Sequence, residues 1–273
     1  MYINREDMLS KKQVMELYDR LAKNRFAIIG RVPLLDYLSN LKDGSKILDV
    51  ATGTGVVVFK ILETVVPKVI IGFDLSVKEL IEAKNVVKEF NLENVHFLRS
   101  DGENLGFRDN FFDVVTCNAG LHWMPHKEKC VKEMLRVCRK GGLVAVYIPD
   151  RSLDHAQFMQ VALDVASKYN LKNQVSKFKH PSYNKDEAEE IFKGAGAKEV
   201  RIRQIRREFY YKTAIDYLAE WKRWGGDKIF KSLLPPKYKE QIWNEIASEL
   251  NRRYQTNKGV KIISTSLYIE ATK

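Results

Sequence analysis

Lys46-Ile-Leu-Asp-Val-Ala-Thr-Gly-Thr-Gly55 is the segment from which the rest of the chain can be interpreted. Ile47, Leu48 and Val50 predict a short buried strand, with Asp49 near its carboxyl end. Gly53 and Gly55 then open a helix expected from Val56 to Val65. A strand, a glycine turn and a helix start bring free backbone N–H groups against a ligand, and glycine permits both close approach and positive φ. A dinucleotide site would carry a third glycine, which lets the helix press on the strand. Position 58 is Val58 instead. The loop therefore admits two readings, a ligand cradle and a plain strand–turn–helix connection, and the segments around it decide.

Downstream, Lys68-Val-Ile-Ile-Gly-Phe-Asp74 is a second apolar run ending in an acid, and Ser76 caps a helix expected through Phe90. Val95 to Leu98 is a third strand, followed by Ser100-Asp101-Gly102-Glu103. Asp113 to Cys117 is a fourth, Glu128 to Cys138 a helix, and Gly141-Gly142 turns into a fifth strand, Leu143 to Ile148. This alternation predicts an α/β fold, a doubly wound, mainly parallel sheet with helices on both faces. Right-handed crossovers gather the strands' carboxyl ends, and with them Asp49, Asp74 and Asp101, along one edge. Upstream, Ser10 caps a helix running to Leu21, and Val32 to Leu41 forms another. Beyond Ile148 the expected elements are helices His155 to Tyr169 and Lys185 to Gly194, a charged strand Glu199 to Tyr211, helices Ala214 to Trp224 and Lys237 to Tyr254, and a last strand Val260 to Ala271. With no repeat or linker, one domain over 1–273 is expected. Its cofactor-binding core would occupy 42–150, helical cap elements 151–259 and the final strand 260–273.

The chain is 45% apolar and 30% charged, an ordinary balance for a folded protein. A net charge of +11 raises the case for an anionic partner or substrate, while its dispersal along the chain favours a solvated lysine-rich surface. Cys117, Cys130 and Cys138 form an odd set without a C-x-x-C pair, which argues against a disulfide framework or a zinc site. Reduced thiols, a polar amino terminus and the lack of a long apolar run make a cytoplasmic protein without a transmembrane segment the expectation.

Two readings stand for each downstream acid. Asp74 suits the acid that accepts from both ribose hydroxyls of a nucleoside, and it also suits a helix cap before Ser76. Asp101 can accept from an adenine amino group while the backbone of Gly102-Glu103 meets the ring edge, or it can serve an Asp-Gly turn. Together with Asp49 they form a series that would hold one nucleoside across the strand ends.

That series resembles the class I S-adenosylmethionine-dependent methyltransferases over at least Lys46 to Ile148. Asp49-Val-Ala-Thr-Gly-Thr-Gly55 is similar to the glycine motif of the ubiquinone/menaquinone C-methyltransferase group. Phe73-Asp74-Leu75-Ser76 is similar to its ribose motif, and Ser100 to Phe107 to its adenine motif. Phe111 to Val115 and Glu133 to Gly142 match the family's fourth strand and the helix before its fifth. The resemblance implies a Rossmann-like seven-stranded sheet with an antiparallel last strand and helical cap insertions. It implies S-adenosyl-L-methionine as cofactor, with Asp49, Ala51, Gly53, Gly55, Asp74, Leu75, Asp101, Gly102, Glu103, Asn118 and Ala119 around it. Tyr18 and Arg25 lie in the amino-terminal segment that in similar enzymes folds over the cofactor. Two departures are visible. Ala51 stands where many relatives have a glycine, and Gly120-Leu121-His122-Trp123 replaces the Gly-Leu-Arg-Asn usual in the quinone enzymes.

A sulfonium already activates its methyl group, so such an enzyme aligns an acceptor and excludes water. His122 is the candidate general base, with packing beside the cofactor as its other reading. His126 reads as a helix-start residue, and Pro125 breaks the helix that a His122/His126 metal pair would need, so no metal is expected. Trp123, Tyr147, Trp221, Trp224 and Phe209 are candidates for an apolar substrate wall, against the reading of aromatic residues as core. Arg201, Arg203, Arg206 and Arg207 read as a solvated edge strand or as an anion-capturing stripe. The expected activity is O- or C-methylation of a small molecule bearing a hydroxyl, carboxylate or acidic carbon. RNA methylation, non-catalytic cofactor binding and a nicotinamide dehydrogenase are the competing readings.

Overall fold

A computed structural model of the 273-residue chain describes residues 10, 12–13, 16–17, 41–150, 156–178 and 183–273, the side chains at 223 and 224 excepted. The strands are β1 (Lys46–Val50), β2 (Val69–Asp74), β3 (Val95–Arg99), β4 (Phe112–Asn118), β5 (Cys138–Pro149), β6 (Glu199–Tyr211), β7 (Gln255–Thr256) and β8 (Gly259–Thr272). The α-helices are α1 (Val56–Ile61), α2 (Val77–Glu89), α3 (Lys127–Val137), α4 (Ala156–Ser167), α5 (Lys172–Val175), α6 (Lys185–Gly194), α7 (Ala214–Trp224), α8 (Gly226–Ser232) and α9 (Lys239–Tyr254). Tight 3-10 turns occupy Leu121–Trp123 and Pro236–Tyr238. The sheet order is β3-β2-β1-β4-β5-β8-β6, with the two-residue β7 paired to β8. Strands β1 to β5 pair in parallel and the last strands run antiparallel, as expected of a doubly wound fold. The order reverses between β1 and β4. In open α/β sheets such a reversal parts the loops at the strands' carboxyl ends and leaves a crevice there.

The chain forms two compact units. The first comprises Met1–Ile148, Tyr183–Gln204 and Leu267–Lys273. Its core takes alternate residues from each central strand, Leu48 and Val50, Val115 and Cys117, Val144 and Val146, packed with Val131, Met134 and Leu135 of α3. Each such side chain, when fully buried, contributes roughly 1.5–3 kcal/mol. The opposite parity puts Asp49 and Thr116 side by side, because they are partners in the β1–β4 register. That second face is apolar too, with Ile47, Val114 and Ala145 buried on it, and it turns polar only at Asp49 and Thr116 near the strands' carboxyl ends.

The second unit comprises Pro149–Ser182 and Ile205–Ser266. Thr213 and Asp216 form a capping box that starts α7. Trp221 on that helix is fully buried, stacked on Phe158 with ring centroids 3.9 Å apart and flanked by Trp243. The expectation of Trp221 as a substrate wall is corrected: its ring is fully buried in this core, with Phe158, Phe178, Tyr217 and Trp243 around it. Phe209 packs against the same cluster. Helix α8 and strand β7 were not anticipated, and α9 begins at Lys239 because Pro236 starts a 3-10 turn instead. Helix α1 stops at Ile61, short of the expected Val65, where Glu63 and Thr64 close i→i+3 turns on Lys60 and Ile61. Ser10 accepts from the Gln13 N–H at 3.3 Å, as a cap does, while most of the two helices expected before Leu41 lies outside the described residues. Strand β6 ends the sheet, and Arg201, Arg203 and Arg206 on it are exposed, the arrangement of a charged edge.

Candidate functional site

The loop after β1 is built around Asp49, which is 1% exposed. Thr116 and Thr52 each donate a hydroxyl to its carboxylate at 2.6 Å. Thr52 also donates its N–H to Phe73 of β2 at 2.8 Å, so the loop is tied to both neighbouring strands. Ala51, Gly53 and Gly55 take left-handed backbone angles, with φ of 56°, 56° and 79°. The Gly53 N–H donates to Asp74 Oδ2 at 2.8 Å, and the Gly55 N–H to Thr52 O at 3.0 Å. These two amides are therefore spent inside the protein, which corrects the expectation of free N–H groups at the glycines. At these two glycines the turn offers close approach and no free N–H for a phosphate.

Asp74 braces the turn between β2 and α2. Its Oδ1 accepts from the Ser76 N–H at 2.8 Å and its Oδ2 from Gly53, while Ser76 caps α2. A carboxylate has about four acceptor sites, so two further donors can be accommodated. Leu75 beside it is 59% exposed, an apolar surface next to the acid. Asp101 is exposed and shapes a turn, its Oδ1 accepting from the Glu103 N–H at 3.0 Å. Gly102 in that turn leaves room for Met124, whose Sδ would stand 3.2 Å from an added β-carbon. Glu103 contacts His126 Nδ1 at 2.8 Å and Lys129 Nζ at 3.3 Å. The hydrogen bond with His126 is the main influence holding its carboxyl below the usual range. His126 starts α3 as expected. Its tie to Glu103 was missed, since nothing local in the sequence pairs residues of two separate loops.

At the end of β4, Asn118 Oδ1 is buried without a hydrogen-bond partner. Such an acceptor invites a ligand N–H, and it is the feature of this edge that best fits the ammonium end of an amino-acid-bearing cofactor. Ala119, at φ 54°, donates its N–H to Tyr147 O at 2.9 Å. His122 is 5% exposed and Trp123 48%, their ring centroids 5.0 Å apart. Tyr147 is 2% exposed within β5 and is core-like, which corrects its placement in a substrate wall. The structure thus brings together Asp49, Ala51, Gly53, Gly55, Asp74, Asn118 and Ala119 at neighbouring strand ends. Tyr18, Arg25 and the Trp224 side chain lie outside the described residues.

Residues 41–196, more than half of the chain, match the family described as a methyltransferase domain. The chain belongs to the class I S-adenosylmethionine-dependent methyltransferases. It is 37% identical over 112 residues to the ubiquinone/menaquinone biosynthesis C-methyltransferase UbiE of Stutzerimonas stutzeri, covering 40% of this chain and 43% of the relative. A similar match to UbiE of Bdellovibrio bacteriovorus is 37% identical and covers 42% and 48%. The chain therefore spans less than half the length of these curated relatives. Among solved structures, the fold is similar to phosphoethanolamine N-methyltransferase 2 of Haemonchus contortus in complex with S-adenosyl-L-methionine, with TM-score 0.56, 18% identity and coverage of 96% and 57%. The YcgJ protein of Bacillus subtilis gives TM-score 0.60 at 18% identity, with coverage of 88% and 97%.

In this methyltransferase, burial pushes Asp49 up to about 6, against the lowering effect of the two threonine hydroxyls. A carboxyl that holds its proton more tightly folded than unfolded stabilises most at low pH and loses that contribution as pH rises through about 6. The shift from 3.8 corresponds to a neutral-pH cost on the order of 3 kcal/mol. Without cofactor, the wild type is expected to gain on the Asp49→Asn variant by about 2–3 kcal/mol between pH 7 and pH 4. Denaturant melts of both proteins across that range measure it, and parallel pH profiles would refute it. The thiols of the methyltransferase, Cys117, Cys130 and Cys138, are all free and buried. Burial pushes Cys130 up to about 11, Cys138 up to about 12, and Cys117 up as well. Among the described residues no helix is long and apolar enough to cross a membrane.

Proposed function

We propose that this methyltransferase acts on a small, largely apolar acceptor bearing a hydroxyl, carboxylate or acidic carbon. The observation that carries this reading is Trp123, an exposed indole set beside the buried His122 in the turn directly after β4. An aromatic face at the carboxyl edge suits an apolar ring, and the name of the UbiE relatives, C-methyltransferases of quinone biosynthesis, supports the same class of acceptor. S-Adenosylmethionine supplies the methyl group already activated on sulfur. On this reading Asp74 accepts from the ribose hydroxyls, Asp101 from the adenine amino group and Asn118 Oδ1 from the ammonium, while Leu75 covers the adenine. Gly53 and Gly55 let the backbone approach closely. Trp123 orients the acceptor and keeps water out, and His122 takes the proton that a hydroxyl or acidic carbon must lose.

A second reading, RNA as acceptor, is favoured by the net charge of +11 and the exposed arginines of β6. Tritiated methyl transfer to total RNA and to a low-molecular-weight extract separates the two. Label is expected in the extract and lost in Trp123→Ala; label in RNA alone would sink the small-molecule reading. For an acceptor methylated at a hydroxyl or acidic carbon, His122→Ala is expected to lower the rate by about 10²–10⁴-fold with cofactor affinity retained. A matched loss of both would make His122 a packing residue.

A further inference from the structure

Gly120 occupies an ordinary right-handed backbone region, φ −108° and ψ −43°, where any residue fits. Its need for glycine comes from the neighbouring loop after β1. A β-carbon on Gly120 would lie 2.3 Å from Ala51 Cβ and 3.1 Å from Cys117 Sγ. Ala51 holds a left-handed φ of 56° that L-residues avoid, and its methyl packs against the core of the first unit. The loops after β1 and β4 therefore share room for a single methyl group, and the Ala51 side of the junction holds it. Trp123 N–H donates to Gly120 O at 3.0 Å, so the turn bearing His122 and Trp123 is anchored on this same residue.

We propose that Gly120 is a positioning residue: its contact with Ala51 sets how closely the His122–Trp123 turn approaches the cofactor loop, beside Asn118 and Ala119. The proposal rests on the cofactor reading of this edge. The residues facing ribose and adenine stand on β2 and after β3, so the amino-acid half of the cofactor is the part that meets the junction.

Two probes test it by calorimetry: S-adenosylhomocysteine, which carries the amino-acid half, and methylthioadenosine, which lacks it. Gly120→Ala is expected to weaken S-adenosylhomocysteine about tenfold or more, and methylthioadenosine less than about threefold. Gly120→Ala made in an Ala51→Gly background is expected to return S-adenosylhomocysteine to within about threefold of Ala51→Gly alone. Equal loss of both probes, no loss, or no recovery in the double variant would overturn the proposal. If Gly120→Ala alone fails to fold, the double variant still decides, since it too must then fold and bind. Failure of the wild type to bind either probe would fall on the cofactor reading instead.

Discussion

Replacing Asp74 with alanine is expected to weaken S-adenosylhomocysteine by about 1.5–3 kcal/mol, roughly 10- to 150-fold in Kd. Two effects point the same way. The ribose hydroxyls lose a charged acceptor, and charge-assisted hydrogen bonds are the strong ones. The Gly53 and Ser76 N–H groups also lose the carboxylate that now holds them at 2.8 Å each. Asp74→Asn separates these contributions, because one amide oxygen can satisfy only one side of the arrangement and carries no charge; its affinity is expected to fall between those of wild type and Asp74→Ala. Calorimetric titration of folded protein, checked by circular dichroism, is the measurement. Unchanged affinity in Asp74→Ala would leave Asp74 with only its hold on the Gly53 and Ser76 N–H groups.

Gly55→Ala is expected to cost the first unit about 2–5 kcal/mol. Left-handed φ at a non-glycine residue costs about 1–2 kcal/mol. The new methyl would in addition stand 2.5 Å from Phe97 Cζ and 2.9 Å from Phe59 Cε2, an overlap of the kind that costs about 1–3 kcal/mol in a packed core. These rings are buried and already in contact, with centroids 5.8 Å apart, so neither can retreat without moving β3 or α1. Thermal melting with cofactor absent reads the effect as a fall of several degrees. A melting point within about 1 °C of wild type would show that the rings repack freely.

Much of this architecture was legible before any coordinates. Apolar runs with Asp49 and Asp74 at or near their ends, each followed by a turn and a helix, and a third run leading to Asp101, name the parallel strands and their common edge. Helices α6 and α7 and strand β6 lie where periodicity put them. What escaped has physical causes. Trp221 reads alike as wall or core from sequence, because an aromatic residue at helical spacing does not say which neighbours enclose it. The occupied amides of Gly53 and Gly55 depend on partners in other segments, Asp74 above all, and glycine spacing carries no trace of them. Glu103 with His126 and Ala51 with Gly120 are likewise meetings of loops distant along the chain. The final strand shows the limit of alternation: Val260 and Ile262 belong to the core of the second unit, Leu267, Ile269 and Ala271 to that of the first, so no single parity describes it.

The three buried thiols bear on how the protein can be handled and watched. A thiolate is the species that alkylating reagents and disulfides attack, and each cysteine here is both shielded and biased toward its protonated form. Native molecules are thereby protected from crosslinking to one another in air, without added reductant. Because Cys117, Cys130 and Cys138 sit on β4, α3 and β5 of the first unit, any thiol that becomes titratable marks the opening of that unit, and alkylation serves as a built-in clock for its local unfolding.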